Sequence, residues 1–333
     1  MVLLIPAIDA KPVIIGFTEE IDQNIIKEHS IANYTQYKII NAISADIPES
    51  VSKQLKKNPK IKYKDAQVQI VDKPTQPSQP QQQITWGIAR VKAPEAWNNS
   101  TGKNVKIAVL DTGISNSHPD LTVSGGINLV GKSKNNKWND DNGHGTHVSG
   151  IIAARNNTIG VIGVAPDAQL YAVKVLDANG NGYISDIIEG IGWAVHNNMD
   201  VVSMSLGTRT YSQALNDTTS NAYKAGILLV AAAGNSGDGN LSTDDVLYPA
   251  KFDSVIAVSA VDSIYSTWIN GGYANESGTS MAAPFVSGVA TLVKSKNLSM
   301  NPQEIRDSLA HNAIDLGDPG RDRIYGFGLV QAG

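Results

Sequence analysis

Three residues that lie far apart in the sequence have the side chains needed for nucleophilic catalysis. Asp111 directly follows the apolar run VKIAVL, His144 lies between two glycines before an apolar helical pattern, and Ser280 follows Gly-Thr at the start of another such pattern. A carboxylate, an imidazole and a hydroxyl can serve as orienting group, general base and nucleophile. Taken singly, each has an ordinary explanation, because Asp-Thr-Gly is typical of turns and serine commonly caps a helix. Taken together, they predict a hydrolase with a serine nucleophile.

A second histidine, His147, lies three residues after His144 and raises the alternative of a metal-binding pair on one helix face. No glutamate stands between the two, as it does in the helix motif of zinc proteases. The chain also has no cysteine to act as a zinc ligand. The sequence therefore argues against a zinc site.

The elements that must position these residues follow from apolar runs that alternate with helical patterns. Strand-like runs occupy 105–110, 170–176, 200–206, 227–233 and 254–261, and residues 183–198 show a helical period of apolar residues. Continuous apolar strands with helices between them indicate a parallel sheet covered on both faces. We therefore predict a three-layer α/β fold, with ligands bound beyond the carboxyl ends of the strands.

Composition limits the class of protein. The 333 residues are 41% hydrophobic and 17% charged, with 27 Lys and Arg against 31 Asp and Glu. This profile is typical of a globular chain of two or three domains and excludes a disordered or fibrous one. Because there is no basic tract, binding to nucleic acid or to an anionic membrane is not expected. No apolar run approaches the ~18 residues of a membrane span, and residues 1–10 are interpreted as the remnant of a signal peptide.

A change of composition divides the chain. Residues 72–83 contain three prolines and five glutamines and no apolar side chain, which is typical of an exposed linker. We place the linker at 72–81. Before it, residues 11–71 have strand patterns at 12–17 and 36–47 and a helical pattern at 49–57, which predict a small α+β domain. Residues 82–333 form the larger, sheet-containing part.

Four blocks of the larger part resemble the signature sequences of the subtilisin-like serine proteases. They are DTGISNSHPDL, NGHGTHVSG, AAAGN and SGTSMAAP, and the order Asp, His, Ser along the chain is that of the subtilisin triad. The resemblance runs from about Gln82 to Gly333. Residues 11–71 resemble the propeptide of the family, a small domain that assists folding and inhibits the finished enzyme. The resemblance thus implies a secreted endopeptidase in zymogen form, which cuts its own linker at 72–81 and acts as a monomer.

The resemblance assigns a role to each catalytic residue. Ser280 is the nucleophile, His144 the general base and later the general acid, and Asp111 the residue that fixes the imidazole tautomer. Asn235 corresponds to the side-chain donor of the oxyanion hole, and the backbone N–H of Ser280 is the second donor. An Asn-Ser-Gly turn is the ordinary explanation of Asn235.

The resemblance also implies how a peptide substrate binds. An extended peptide pairs by strand addition with two short glycine-containing segments, GNG and SLG, whose matching residues are Gly180, Gly182, Ser205, Leu206 and Gly207. Ala232, Ala233 and Gly234 line the first specificity pocket, and Leu247 closes it. Because these residues are small, we expect a wide slot that prefers large uncharged residues before the cut, with broad tolerance elsewhere.

A calcium site is the other implication of the resemblance. The matching positions all supply oxygen, by side chain or by backbone carbonyl, as Ca²⁺ prefers; they are Gln82, Asp120, Arg155, Asn157, Ile159 and Val161. As an alternative, the Asn-Asn-Thr stretch could be only a polar loop. A weaker second cation site is doubtful, because after Ser263 the chain lacks roughly twenty residues of the family pattern. A true deletion there would open the sheet beside the nucleophile, which favours a loop omitted from the sequence.

Two other functions remain open. A catalytically impaired binding protein could keep the fold and lose turnover. An esterase or acyltransferase could use the same three residues, although the GXSXG motif of the common esterase fold is absent. Hydrolysis of a peptide amide compared with a simple ester separates these alternatives.

Overall fold

The computed structural model describes residues 10–65, 67–70, 80–131, 135–237, 244–259 and 261–333. The signal remnant and the linker expected at 1–10 and 72–81 lie almost entirely outside these ranges. The strands are β1 Ala10–Phe17, β2 Thr35–Gln36, β3 Ala42–Pro48, β4 Ile61–Asp65, β5 Gln67–Ile70, β6 Lys106–Asp111, β7 Val123–Asn128, β8 Gln169–Lys174, β9 Asn181–Tyr183, β10 Val201–Met204, β11 Leu206–Gly207, β12 Leu228–Ala232, β13 Val255–Val258, β14 Val261–Thr267 and β15 Tyr273–Gly278. The helices are α1 Gln23–Glu28, α2 Glu49–Leu55, α3 Trp86–Arg90, α4 Ala93–Ala96, α5 His144–Ala153, α6 Ile184–His196, α7 Gln213–Lys224, α8 Thr279–Lys296 and α9 Pro302–Asn312.

The predicted parallel sheet is confirmed. Within the described residues, six strands pair in the order β13-β12-β10-β6-β8-β7, and every pairing is parallel. All residues of β10 and β12 are buried, which explains why these strands have continuous apolar sequences rather than alternating ones.

Helices cover both faces of this sheet. Along β6, Ile107 and Val109 belong to the core shared with α5 and α8, whereas Ala108 and Leu110 belong to the core shared with α6 and α7. This alternation follows from the two-residue period of a strand. The carboxyl ends of the central strands therefore lie between the two helical layers, where the site is built. None of the helices in the described ranges is long and apolar enough to cross a membrane.

A small α+β domain precedes the sheet. Its antiparallel sheet has the order β2-β3-β1-β4, and Val13, Ile15 and Leu55 are among the residues of its own core. The strand predicted over 36–47 is wrong in its first half: β2 ends at Gln36, and β3 begins at Ala42. The domain packs against α6 and α7.

A hairpin occupies the region where the sequence suggests an omitted loop. Strand β14 runs through Ser263 and pairs with β15 in an antiparallel hairpin that leads directly into α8. The omitted loop therefore stays a prediction. Among the described residues, β13 has no partner on its outer side, so the hairpin does not extend the parallel sheet.

Candidate active site

Asp111 and His144 form a buried pair at the end of β6. The Oδ1 atom of Asp111 accepts the backbone N–H of Thr112 at 2.7 Å and lies 2.8 Å from Nδ1 of His144. Both side chains are at most 2% exposed. Because Asp111 occupies Nδ1, the pair leaves Nε2 as the ring nitrogen that can exchange a proton with a substrate or nucleophile.

Gly143 sets the position of His144 at the first turn of α5. Its φ of 119° lies in the left-handed region that side chains rarely adopt. A β-carbon at this position would also collide with the ring of Trp268. A residue larger than glycine would thus displace either the helix start or the tryptophan.

Asp140 holds the loop that leads to His144. Its Oδ1 atom accepts the hydroxyl of Thr112 at 2.9 Å and the N–H groups of Asn142 and Gly143 at 2.9 and 3.0 Å. Its Oδ2 atom accepts the N–H and the hydroxyl of Thr146 at 2.9 and 2.6 Å. One carboxylate therefore joins the end of β6 to the first turn of α5.

Lys174 reinforces the same region from β8. Its ammonium donates to the carbonyls of Thr112 and Leu176 at 2.6 and 2.9 Å and to the carboxylate of Asp141 at 2.7 Å. The side chain is 5% exposed, and the Cα of Lys174 is paired with that of Asp111 in the parallel ladder. The turn after Asp111 is thus fixed by a lysine as well as by Asp140.

Ser280 and Asn235 are brought together through Thr279. The Oδ1 atom of Asn235 accepts both the N–H and the hydroxyl of Thr279 at 2.9 Å, which fixes the orientation of the planar amide. Ser280 is the second residue of α8 and is buried, and its hydroxyl donates to the carbonyl of Ser205 at 3.4 Å. Helix α8 packs against α5, so the helix starts that contain Ser280 and His144 belong to neighbouring elements.

The two segments expected to bind a peptide are paired with a strand of the chain itself. β5 lies between β9 and β11 and is antiparallel to both. Gly182 pairs with Val68, and Gly207 pairs with Gln69. Gly180 forms the turn before β9, with a φ of 76°, and Ser205 and Leu206 begin the other edge.

The residues predicted to line the first specificity pocket lie beside Leu247. Ala232, at the end of β12, is fully buried, and Ala233 accepts the N–H of Leu247 at 2.8 Å. A β-carbon built on Gly234 would lie 2.7 Å from Cγ of Leu247. The side chain of Leu247 therefore packs directly against the pocket wall.

The six positions predicted to bind calcium converge in the structure. The segment 80–83 lies along 158–161 through backbone hydrogen bonds, which brings Gln82 to the loop after α5. The amide nitrogen of Gln82 is 2.8 Å from the carbonyl of Arg155 and 3.5 Å from both the Asn157 side-chain oxygen and the Val161 carbonyl. Asp120 Oδ1 accepts the Asn157 amide at 2.8 Å, and the N–H of Ile159 bonds to Asn157 at 2.8 Å.

This donor set fits a hard cation. Three oxygens already surround the end of the Gln82 amide, and a 180° turn of that amide would direct its oxygen to the same place. The set combines amide and carbonyl oxygens with the single carboxylate of Asp120, and in the described part of the chain no three His, Asp or Glu side chains are grouped to hold a metal. Oxygen ligands of mixed origin suit Ca²⁺ and not zinc.

His147 takes no part in a metal pair. Its Nε2 atom lies 3.1 Å from the carbonyls of Ile264 and Ala274, in the hairpin of β14 and β15. Burial is the main reason that the pKa of His147 is lowered to about 3. The residue therefore donates a hydrogen bond as a neutral imidazole inside the core.

Four supporting residues were missed by the sequence reasoning: Thr112, Asp140, Lys174 and Thr279. Thr112 and Thr279 lie inside signature blocks, and Asp140 lies just before one, whereas Lys174 belongs to β8. Each of the four acts through a contact with a residue distant in sequence. The run Asp140-Asp-Asn-Gly also has the composition of an ordinary turn. Asp140 and Lys174 differ from ordinary charged residues only in being buried, which the sequence alone does not show.

Comparison with known proteins identifies the family. The sequence profile of the subtilase family matches residues 102–266 and 261–328. Subtilisin E of Bacillus subtilis is 42% identical over 350 aligned positions, which cover 96% of this chain and 89% of that protein. A thermostable alkaline protease of Halalkalibacterium halodurans is 40% identical, with coverage of 93% and 87%, and M-protease of Shouchella clausii is 41% identical, with coverage of 95% and 86%.

The family profile matches this chain in two separate ranges that overlap in the first strand of the β14–β15 hairpin. The two ranges meet at 261–266, within β14, and the 350 aligned positions exceed the 333 residues of this chain. The relatives thus contain residues that this chain lacks. The family profile matches the chain before and after β14, and subtilisin E is 42% identical over 96% of the chain. The chain therefore belongs to the subtilase family and is a serine endopeptidase.

Proposed function

We propose that this chain is a secreted, self-processing zymogen whose peptidase activity depends on Asp111, His144 and Ser280. The observation that carries the proposal is the buried pair of Asp111 and His144, 2.8 Å apart. An aspartate at this position holds the imidazole in one tautomer and stabilises the imidazolium that forms during the reaction.

The reaction proceeds by acyl transfer. Nε2 of His144 takes the proton of the Ser280 hydroxyl as its oxygen attacks the carbonyl carbon of the scissile peptide bond. The resulting oxyanion is stabilised by the amide N–H of Asn235 and the backbone N–H of Ser280. His144 then gives its proton to the leaving amine, which leaves an acyl-enzyme. Water, activated by the same imidazole, hydrolyses the acyl-enzyme and restores the serine.

The amide of Asn235 is prepared for this role before a substrate binds. Thr279 holds the oxygen end of the amide through two hydrogen bonds of 2.9 Å, so the nitrogen end is the one that can donate. Donors that are already oriented stabilise developing charge without further reorganisation.

The zymogen proposal rests on β5. This strand occupies both edges that would bind an extended peptide, and it lies directly before the linker at 72–81. We propose that residues 11–71 act as intramolecular chaperone and inhibitor and that self-cleavage falls in the linker. Residues 82–333 are then the mature catalytic domain, which acts as a monomer on protein and peptide substrates.

Calcium is proposed as the cofactor of the mature domain. Gln82, Asp120 and Asn157 would hold it by side-chain oxygens, and Arg155, Ile159 and Val161 by backbone carbonyls. When bound, the ion supplies stability rather than reaction chemistry, because it would join the mature N-terminus to the loop after α5.

Substitution Ser280→Ala tests the proposal. The variant removes the attacking oxygen, and we expect it to remain at full length when its mass is followed over time. The wild type should shorten by a cut within 72–81 and should then hydrolyse peptide amides. Ser277→Ala, in an exposed position three residues earlier, is the matched control and should behave as the wild type. Continued self-cleavage by Ser280→Ala would contradict the assignment, and hydrolysis of esters alone would favour an esterase.

A further inference from the structure

The side chain of Leu247 lies beside two glycines of the proposed pocket. A β-carbon built on Gly207 would lie 2.8 Å from Cβ and 2.9 Å from Cδ1 of Leu247. One built on Gly234 would lie 2.7 Å from Cγ and 2.9 Å from the same Cδ1. The leucine side chain is therefore in contact with the backbone of both glycines, and its Cδ1 lies between them.

These two glycines belong to the opposite walls of the proposed pocket. Gly207 ends the peptide-binding edge β11, where it pairs with Gln69 of β5. Gly234 follows β12, directly before Asn235. A side chain that enters between these walls meets the space that Leu247 fills.

The backbone holds Leu247 in this position from both sides. Its N–H donates to Ala233 on one wall at 2.8 Å, and the next residue, Tyr248, exchanges two hydrogen bonds of 2.9 Å with Thr208 on the other. The ring of Tyr248 packs against Phe252, with centroids 4.8 Å apart. Displacement of the backbone at Leu247 would require these contacts to break.

From this geometry we propose that Leu247 is a specificity-determining residue that shortens the pocket, so that the enzyme prefers Gly, Ala or Ser directly before the cut bond. The inference rests on the proposed function and reverses the preference for large residues expected from the small wall residues. A small substrate side chain fits beside Leu247 without any change in the enzyme. A large one fits only if enzyme side chains or backbone move, which is costly in a close-packed site.

Two peptides with the same leading sequence test the proposal. They are succinyl-Ala-Ala-Pro-Ala and succinyl-Ala-Ala-Pro-Phe p-nitroanilide, and the measured quantity is the ratio of their kcat/KM values with the processed enzyme. We expect the wild type to favour the alanine peptide by ~10-fold or more, and Leu247→Gly to move the ratio toward phenylalanine by at least ~10-fold, a typical range for pocket selectivity. Leu298→Gly makes the same change at an exposed site and should leave the ratio as in the wild type.

A second measurement needs no variant. The wild type is allowed to digest an unfolded protein, and the residues before the cuts are identified by mass spectrometry. We expect an excess of Gly, Ala and Ser over Phe, Tyr, Leu and Met. An excess of the large residues, or an active Leu247→Gly enzyme with an unchanged ratio, would overturn the inference and leave the proposed function intact. Failure of the wild type to cut any peptide amide would overturn both.

Discussion

At the scale of single residues, the buried carboxylate of Asp140 is the clearest positioning element. It accepts five hydrogen bonds and is 4% exposed. Each buried donor or acceptor that loses its hydrogen-bond partner lowers the stability of the fold by about 1–3 kcal/mol. The position of His144 relative to Asp111 therefore depends on a residue that does not contact either side chain through these bonds.

Substitution Asp140→Asn should lower the activity of the processed enzyme. The amide replaces one acceptor oxygen with a donor that faces other donors, so the first turn of α5 must shift. We expect kcat to fall ~10-fold or more with a smaller change in KM, since the loss of one such bond corresponds to about that factor. Asp167→Asn is the matched control, because it makes the same chemical change at an exposed position. Equal activity in the two variants would show that Asp140 does not position His144.

The burial of His147 predicts how the free energy of unfolding depends on pH in the acid range. Its pKa is lowered to about 3 in the folded state, against about 6.5 for an unperturbed histidine. Between these values the unfolded chain binds one more proton than the folded one, so the free energy of unfolding falls as the pH falls below about 6.5. The limiting slope is about 1.4 kcal/mol per pH unit.

The pH dependence is measured by denaturant unfolding of the inactive Ser280→Ala protein from pH 7 to pH 4.5. His147→Gln should show a shallower acid slope than its parent, because glutamine does not titrate. His118, whose pKa is also lowered by burial, contributes to both slopes alike. His196→Gln, at an exposed site at the end of α6, is the control. A slope unchanged by His147→Gln would contradict the assigned burial of a neutral imidazole.

At the scale of elements, the predictable part of the fold is the part determined by local apolar patterns. The runs ILLVAAA and DVVSMSL predicted strands that β12 and β10 confirm, because two-sided burial requires continuous apolar residues. The position of Leu247 could not be predicted in this way. It depends on backbone hydrogen bonds to Ala233 and, through Tyr248, to Thr208, which lie on two elements distant in sequence.

The proposed calcium site at the loop after α5 predicts that calcium stabilises the processed protein against heat. In the inactive Ser280→Ala protein, processed at the linker by added active enzyme, calcium should raise the midpoint of thermal unfolding and chelation should lower it. A ligand that binds only the folded state stabilises it by about 2.7 kcal/mol at a hundred times its Kd. Asp120→Ala should abolish this response. Asp167→Ala, an exposed carboxylate elsewhere, should keep it, and an equal response in both variants would contradict the site.

At the scale of the whole molecule, the small domain and the catalytic part share a core. Ile14, Tyr37 and Ala42 belong to the same buried cluster as residues of α6 and α7. The hydroxyl of Tyr37 donates to the carbonyl of Ser185 at 3.1 Å, and Asn221 of α7 donates to the carbonyl of Ile39 at 3.1 Å. Burial also raises the pKa of Tyr37 above its usual range, so this hydrogen bond persists throughout the working pH range of a protease.

Substitution Tyr37→Phe should weaken the proposed inhibitor. A purified fragment of residues 11–73 added to processed enzyme should inhibit it competitively, and loss of one hydrogen bond should raise the inhibition constant about fivefold. Tyr34→Phe makes the same chemical change where the ring packs only within the core of the small domain and should leave the constant unchanged. A fragment that does not compete with a peptide substrate would contradict the zymogen proposal.

The covalent attachment of β5 has a consequence for the timing of activation. A strand held in the cleft by its own chain is present at a local concentration that dilution does not change. The first cut should therefore follow first-order kinetics, with a half-life independent of protein concentration. Once the linker is cut, the same strand becomes a separate molecule, and its release is favoured by dilution. Secretion into a large volume would then convert a silent precursor into an active enzyme without any other signal.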